Sequence, residues 1–347
     1  VNDLLKTYLD ENVPLIEAEM FSYLNEEEPL RFLYEPMRDY PLRGGKRFRP
    51  ALVLLACEAM GGDKQKALPT AAAFELFQCF ALVHDDIEDG SEMRRGKPCL
   101  HHLHGIPLTI NIGDALYSKV FEALAANRDL LGADVALTLM DEMIRGAQMT
   151  FEGQAYDIGW VAASEMPTVD AFMEMLRLKT GWYSGRGPCS AGAVVAGASE
   201  ALRGAVGDFG EAIAVAFQIR DDLLNLSVQE TDVTQAPSAT GGGYGKERGG
   251  DIAEGKRTLM VIDCYHHCSD GDRGRFMEIL EGDRSTTSAG DIEWVIDLMV
   301  ETGSIERAEQ ECAKRAGAAL KHLEVLPQSQ MRETMEEMSH FLVERVF

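Results

Sequence analysis

Apolar residues recur every three to four positions along most of the chain, and no segment alternates convincingly with period two. That pattern predicts an all-α protein. Pro50 to Met60 (PALVLLACEAM) is apolar nearly all round and stops at Gly61-Gly62, a helix C-terminal signal. The next stretch runs from Ala71 to Asp89, with Pro69 near its start, where proline is tolerated. The same periodicity predicts helices over residues 110–127, 133–160, 169–183, 203–226 and 253–267. After a polar break from Asp270 to Gly290, helices resume at 291–301, 304–323 and 328–345. Helices that are apolar on most faces belong in the middle of a bundle. Residues 229–250 (QETDVTQAPSATGGGYGKERGG) form the one clear low-complexity segment, and its Gly, Ser, Thr and Pro content predicts a mobile loop. A lid and a tolerated surface insertion both fit its place after an acidic helix end.

Composition narrows the class. The chain has 347 residues, 46% of them hydrophobic, which suffices for a core without disulfide or metal staples. A formal charge of −24 argues against nucleic acid or an anionic membrane as partner, so cationic contacts to any anionic ligand must be local. Seven cysteines at irregular spacing read as thiols of a reducing cytoplasm rather than a disulfide framework. No run of 18 apolar residues occurs and no basic stretch with an apolar core opens the chain, so neither a membrane span nor a secretory signal is expected.

Two acidic clusters carry the candidate chemistry. LVHDDIEDG contains Asp85, Asp86 and Asp89; FQIRDDLLN contains Asp221, Asp222 and Asn225. Each closes an apolar helical stretch, where carboxylates are costly unless cations neutralise them. Residues four apart share a helix face, so Asp85 and Asp89 project together with Asp86 turned aside, and Asp221 and Asn225 repeat the arrangement. Carboxylate oxygens suit Mg2+, which takes one or two of them plus water and phosphate oxygens. Two such clusters facing each other point to a Mg2+ and diphosphate site inside a bundle. Gln78 and Gln218 lie deeper on their helices, either as satisfied core amides or as groups aimed at substrate. Basic residues gather beside these motifs, against the global charge. GGKRFRP supplies Lys46, Arg47 and Arg49, MRRGKP supplies Arg94 and Arg95, Lys179 precedes Thr180-Gly181, and GGDIAEGKRT supplies Asp251, Lys256 and Arg257. Arginine forks match phosphate oxygens bidentately, and lysine acts as a point charge.

The ordered set GGKRFR, HDDIEDGSEMRRGKP, GQAYDIG, LKTG, FQIRDDLLN and GGDIAEGKRT resembles that of the trans-isoprenyl diphosphate synthases, the polyprenyl synthetases. The resemblance implies an isoprenoid synthase-type helical bundle around a central active-site cavity, a single domain over residues 1–347, and a homodimer. It implies head-to-tail condensation of isopentenyl diphosphate with an allylic diphosphate. By similarity, Asp85, Asp89 and Asp221 hold about three Mg2+ ions on the allylic diphosphate, with Asp86, Asp222 and Asp157 close by. Arg94, Lys179 and Lys256 grip that diphosphate, while Lys46, Arg49, Gln78 and Arg95 hold isopentenyl diphosphate. Thr180 and Gln218, with the Lys179 carbonyl, stabilise the allylic cation. Neutralising the leaving diphosphate lowers the barrier to C–O heterolysis, and a dry apolar cavity lets the isopentenyl double bond attack in place of water.

Chain length is expected to depend on the cavity floor beneath the first cluster. Phe80 and Phe77 lie roughly 7 and 12 Å deeper than Asp85 along the helix axis, and Ala81 leaves the fourth position back open. In the family a bulky residue only at the fifth position tends to permit C20, so geranylgeranyl diphosphate is expected, with farnesyl diphosphate next. Two departures stand out: Asn225 where the family commonly has Asp, and a longer loop after it. A class I terpene cyclase requires an N-x-x-x-S-x-x-x-E motif, and from Asn225 those positions hold Gln229 and Val233. A non-catalytic regulatory subunit would be expected to lose aspartates or Arg94 and Arg95, which this chain keeps. Cys264 and Cys268 offer only a thiol pair without further ligands, and His101, His102 and His104 read as loop-shaping residues.

Overall fold

The structure, a computed structural model, describes residues 3–227, 248–282, 284 and 286–343. Helix α1 (Asp3–Ser22) leads through short turns α2 (Glu35–Met37) and α3 (Asp39–Leu42) into α4 (Phe48–Ala59). Helix α5 (Lys64–Glu88) starts earlier than its apolar pattern suggested, because the Asp63 side chain caps it by accepting from the Gln65 N–H. Pro69 therefore lies inside the helix, not near its start. A hairpin of two-residue strands, β1 (Met93–Arg94) and β2 (Lys97–Pro98), is too short for alternation to reveal. Helices α6 (Leu100–His104), α7 (Ile106–Leu131) and α8 (Ala133–Ala162) follow.

The helix expected over 169–183 changes character. Helix α9 (Val169–Leu176) passes into a π-helical stretch, Arg177–Arg186, and then into α10 (Gly187–Val195). The wider π turn shifts the register where Lys179 and Thr180 stand, a common device at functional sites. Helix α11 (Glu200–Ser227) ends in the second acidic cluster. The segment expected to be a mobile loop, 229–250, lies outside the described residues except for 248–250. After it, α12 (Gly250–Ala253) and α13 (Leu259–His267) replace the single helix expected over 253–267. The expected break at 270–290 contains helix α14 (Asp270–Leu280). Ser269 caps it, Asp270 and Asp272 favour its first turn, and its buried face is only Phe276, Ile279 and Leu280, too sparse to show a period. Helices α15 (Ala289–Glu301), α16 (Ser304–His322) and α17 (Gln330–Val343) complete the fold.

Two apolar cores meet along α11. Phe209 and Ile213 pack with α1, α4, α5, α7 and α10, while Ile219 and Leu223 pack with α9 and α12 to α16. Small residues allow the tightest crossings. A Cβ on Gly153 of α8 would sit 2.3 Å from the Lys179 backbone nitrogen, so only glycine lets α8 carry the π stretch so closely. Gly185 and Gly210 face each other in the same way between the π stretch and α11. Among the described residues one helix, α5, is long and apolar enough to cross a membrane, but 78% of its apolar window is buried inside the bundle.

Candidate active site

The site is built outward from the last turn of α5. Asp86 is fully buried; it accepts from Arg94 Nε at 2.9 Å and from the Tyr40 hydroxyl. Asp85 lies on the neighbouring face, 3.7 Å from both Arg94 Nη2 and Lys179 Nζ. Lys179 Nζ also donates to Asp157 of α8 at 2.5 Å. Asp89 accepts from Lys256 Nζ at 2.6 Å, and Glu254 lies 3.0 Å from the same ammonium. Three elements thus bring cations to one helix end: the hairpin that follows it, and the π stretch and the turn before α13 from far along the chain.

Burial works against both lysine charges, yet Asp157 and Asp85 around Lys179, and Asp251 and Asp89 around Lys256, overcome it and raise both pKa values. Asp89 is less well served. Burial and the neighbouring Asp85 push its carboxyl up to about 6, despite the attraction of Lys256 and Lys179. Five carboxylates (Asp85, Asp89, Asp157, Asp251 and Glu254) surround these two lysines. A divalent cation relieves such an excess. Among the described residues no three candidate side chains form a closed ligand set, and Mg2+ needs none, because water and phosphate oxygens complete its shell. The all-oxygen donor set therefore fits Mg2+.

The second cluster is arranged differently. Asp221 is half-buried on α11, and Asp222 accepts from Gln218 Nε2 at 2.9 Å. Asn225 is fully buried, its Oδ1 accepting from the Asp251 N–H at 3.2 Å and its carbonyl from the Gly249 N–H at 2.8 Å. The Lys256 N–H donates in turn to the Asp251 carbonyl at 2.9 Å. Asn225 thereby ties α11 to the turn whose lysine reaches Asp89.

The other basic residues separate into two groups. Arg49 donates to Ser184 Oγ from Nη2 at 2.7 Å and stacks 4.8 Å over the Tyr183 ring. Arg95, in a left-handed backbone conformation, donates to the Tyr40 and Gly44 carbonyls beside Lys46. Lys46 lies 5.3 Å from the Phe341 ring of α17. Gln78 is buried, and its Oε1 has no partner among the described residues. Arg47 departs from the expected phosphate-reading role: it turns inward to Glu75 at 2.5 Å and Glu17 at 2.9 Å. Arg257 is also buried, bonded to the Gly255 and Glu165 carbonyls. Thr180 is buried on the π stretch, Phe77 and Phe80 are buried on α5 with rings 5.5 Å apart, and Ala81 is half-buried beside them. Cys264 and Cys268 are buried thiols, while His266 and His267 turn to the Pro167 and Asp263 carbonyls.

Some participants escaped the sequence reading. Gln154 of α8 donates to Glu88 at 2.6 Å and to Asp85 at 3.4 Å; its place inside GQAYDIG was the available signal. Tyr40 and Arg43, which hold Asp86 and the hairpin carbonyls of Arg94, Lys97 and Pro98, carried no signal at all.

The sequence model of the polyprenyl synthetase family matches residues 31–299. This chain belongs to that family. It is 37% identical over 303 residues to a short chain isoprenyl diphosphate synthase of Methanothermobacter thermautotrophicus, covering 87% of each chain. It is 33% identical to a geranylgeranyl pyrophosphate synthase of Geoglobus acetivorans, covering 99% of each. The crystal structure of geranylgeranyl pyrophosphate synthetase from Pyrococcus horikoshii superposes with a TM-score of 0.88 at 34% identity, covering 99% of each chain. The protein is an all-α prenyltransferase of isoprenoid biosynthesis.

Proposed function

We propose that the protein condenses isopentenyl diphosphate head to tail with allylic diphosphates, giving geranylgeranyl diphosphate as main product and farnesyl diphosphate next. The observation that carries this reading is the end of α5, where Lys179, Lys256 and Arg94 meet Asp85, Asp86 and Asp89 above the Phe77–Phe80 pair. Asp85, Asp89 and Asp221 are the carboxylates to hold about three Mg2+ ions, which when bound neutralise charge on the leaving diphosphate. Lys179, Lys256 and Arg94 grip the same diphosphate. Their charges are already fixed by carboxylates, so an arriving diphosphate meets preorganised cations. Asp86 acts from behind, orienting Arg94.

Lys46, Arg49, Gln78 and Arg95 hold isopentenyl diphosphate on the other side of α5. Thr180, Gln218 and the Lys179 carbonyl turn their dipoles to the allylic cation. Phe77 and Phe80 exclude water, so the isopentenyl double bond captures the cation, and the released diphosphate takes the proton.

The whole chain acts as one domain of a cytoplasmic homodimer. Leu137, Ile144, Phe151 and Ile158 recur every seventh residue on α8 and are all exposed, as are Ile106 and Ile110 of α7. An apolar stripe of this extent suits a second copy of the chain. Buried, unpaired cysteines support a reducing compartment. The test is incubation with isopentenyl diphosphate, Mg2+ and dimethylallyl, geranyl or farnesyl diphosphate, followed by chromatography of the dephosphorylated products. A C20 alcohol is expected; absence of diphosphate release with every primer sinks the reading.

A further inference from the structure

The hairpin that carries Arg94 and Arg95 is too small to hold its own shape. Its strands are two residues each, and an isolated pair of strands is marginal in water. The loop between them, Arg95-Gly96, has positive φ at both positions, 51° and 73°. That turn favours Asn, Asp or Gly at its first position, and an arginine there is strained. Contacts from outside the hairpin must therefore hold it.

Arg43, at the end of α3, supplies them. Its Nη1 donates to the Arg94 carbonyl at 2.9 Å and to the Lys97 carbonyl at 3.3 Å, and its Nη2 donates to the Pro98 carbonyl at 2.8 Å. Asp39 accepts from its Nε, and the Tyr40 ring stacks 4.6 Å from its guanidinium. The side chain is almost wholly buried. Arg95 returns the contact by donating to the carbonyls of Tyr40 and Gly44, which flank Arg43 in the chain. Each arginine thus fixes the backbone that carries the other.

We infer that Arg43 is a positioning residue that clasps the hairpin to the Gly44-Gly45 loop. The clasp keeps Arg94 of the allylic diphosphate site in register with Lys46 and Arg95 of the isopentenyl diphosphate site. This rests on the prenyl synthase reading, which assigns those three cations to the two diphosphates. Because Arg43 acts through backbone carbonyls shared by both sites, its loss weakens both substrates together.

The test is steady-state kinetics of Arg43→Met, Arg43→Lys and Asp39→Asn, varying isopentenyl diphosphate and geranyl diphosphate in turn with Mg2+ in excess. Arg43→Met is expected to raise both KM values by about tenfold, with kcat within about threefold of wild type. Arg43→Lys keeps one donor and recovers part of the loss in both. Asp39→Asn, which loosens the guanidinium from a more exposed position, raises both KM values less and carries the test where Arg43→Met fails to fold by circular dichroism. The inference is overturned if the folded variants keep both KM values within about twofold of wild type, or if only one substrate is affected. A lowered melting temperature with unchanged KM values likewise reduces Arg43 to a stabilising residue. Wild-type turnover tests the parent reading, so an inactive wild type and an active one with insensitive variants are separate failures.

Discussion

At the end of α5 the carboxylates meet cations from three other elements, whereas at the end of α11 Asp222 accepts from Gln218 of its own helix and Asn225 accepts from the adjoining turn. Asp85, Asp86 and Asp89 share Arg94, Lys179 and Lys256. Asp222 accepts from Gln218, and Asn225 accepts from the backbone N–H of Asp251. Near-equal motifs thus take unequal tasks. The first is a charged cradle. The second, in the proposed reading, offers Asp221 as its ligand, and its last residue ties α11 to the Asp251 turn. An Asp at position 225 would place another buried negative charge beside Asp251 in a chain already rich in them, and the amide avoids that cost while keeping an acceptor.

Removing charge from the cradle should do the most damage. Asp85→Asn is expected to lower kcat by roughly a thousandfold, about 4 kcal/mol, with the folded state intact by circular dichroism. Diphosphate release measures it, and a loss below about tenfold would deny Asp85 a place in the charge-stabilising set.

Asp89→Asn should cost activity yet stabilise the metal-free fold. The folded carboxyl holds its proton more tightly than the unfolded one, with a pKa of about 6 against an ordinary 3.8. Stability therefore falls as pH rises through that window, and the penalty is complete above pH 6. It amounts to at most about 3 kcal/mol. Urea melts in chelator at pH 4 and pH 7 should show the variant gaining on wild type at the higher pH only. An equal gain at both values would assign the effect to packing.

The smallest effect tests the Asn225 tie. Asn225→Ala should raise KM for the allylic diphosphate by about tenfold, the worth of roughly one hydrogen bond, through the Asp251–Lys256 turn. Its Mg2+ half-saturation should stay within about twofold, while that of Asp221→Asn moves by more than about tenfold. If Asn225→Ala shifts the Mg2+ curve as far as Asp221→Asn does, position 225 is a ligand and the contrast disappears.

Periodicity, Gly61-Gly62 and the paired acidic motifs were local signals, and they determined the all-α class, the bundle and which helix ends carry the acidic clusters. It was the resemblance of the ordered motifs to a known family, not local spacing, that implied Lys179 and Lys256 at the acidic site. Local signals failed where one contact partner lies far along the chain. Arg47 and Arg49 look alike in GGKRFRP, yet Glu17 and Glu75 draw one inward while Ser184 and Tyr183 hold the other. Gly153 reads as a weak point in a helix until Lys179 is seen against it. Tyr117 is one more residue of an amphipathic helix until Phe80 lies 4.8 Å away. Side-chain periodicity fixes which face of a helix is apolar; only packing between helices decides which residue that face meets, and with it which charge is buried and which is offered.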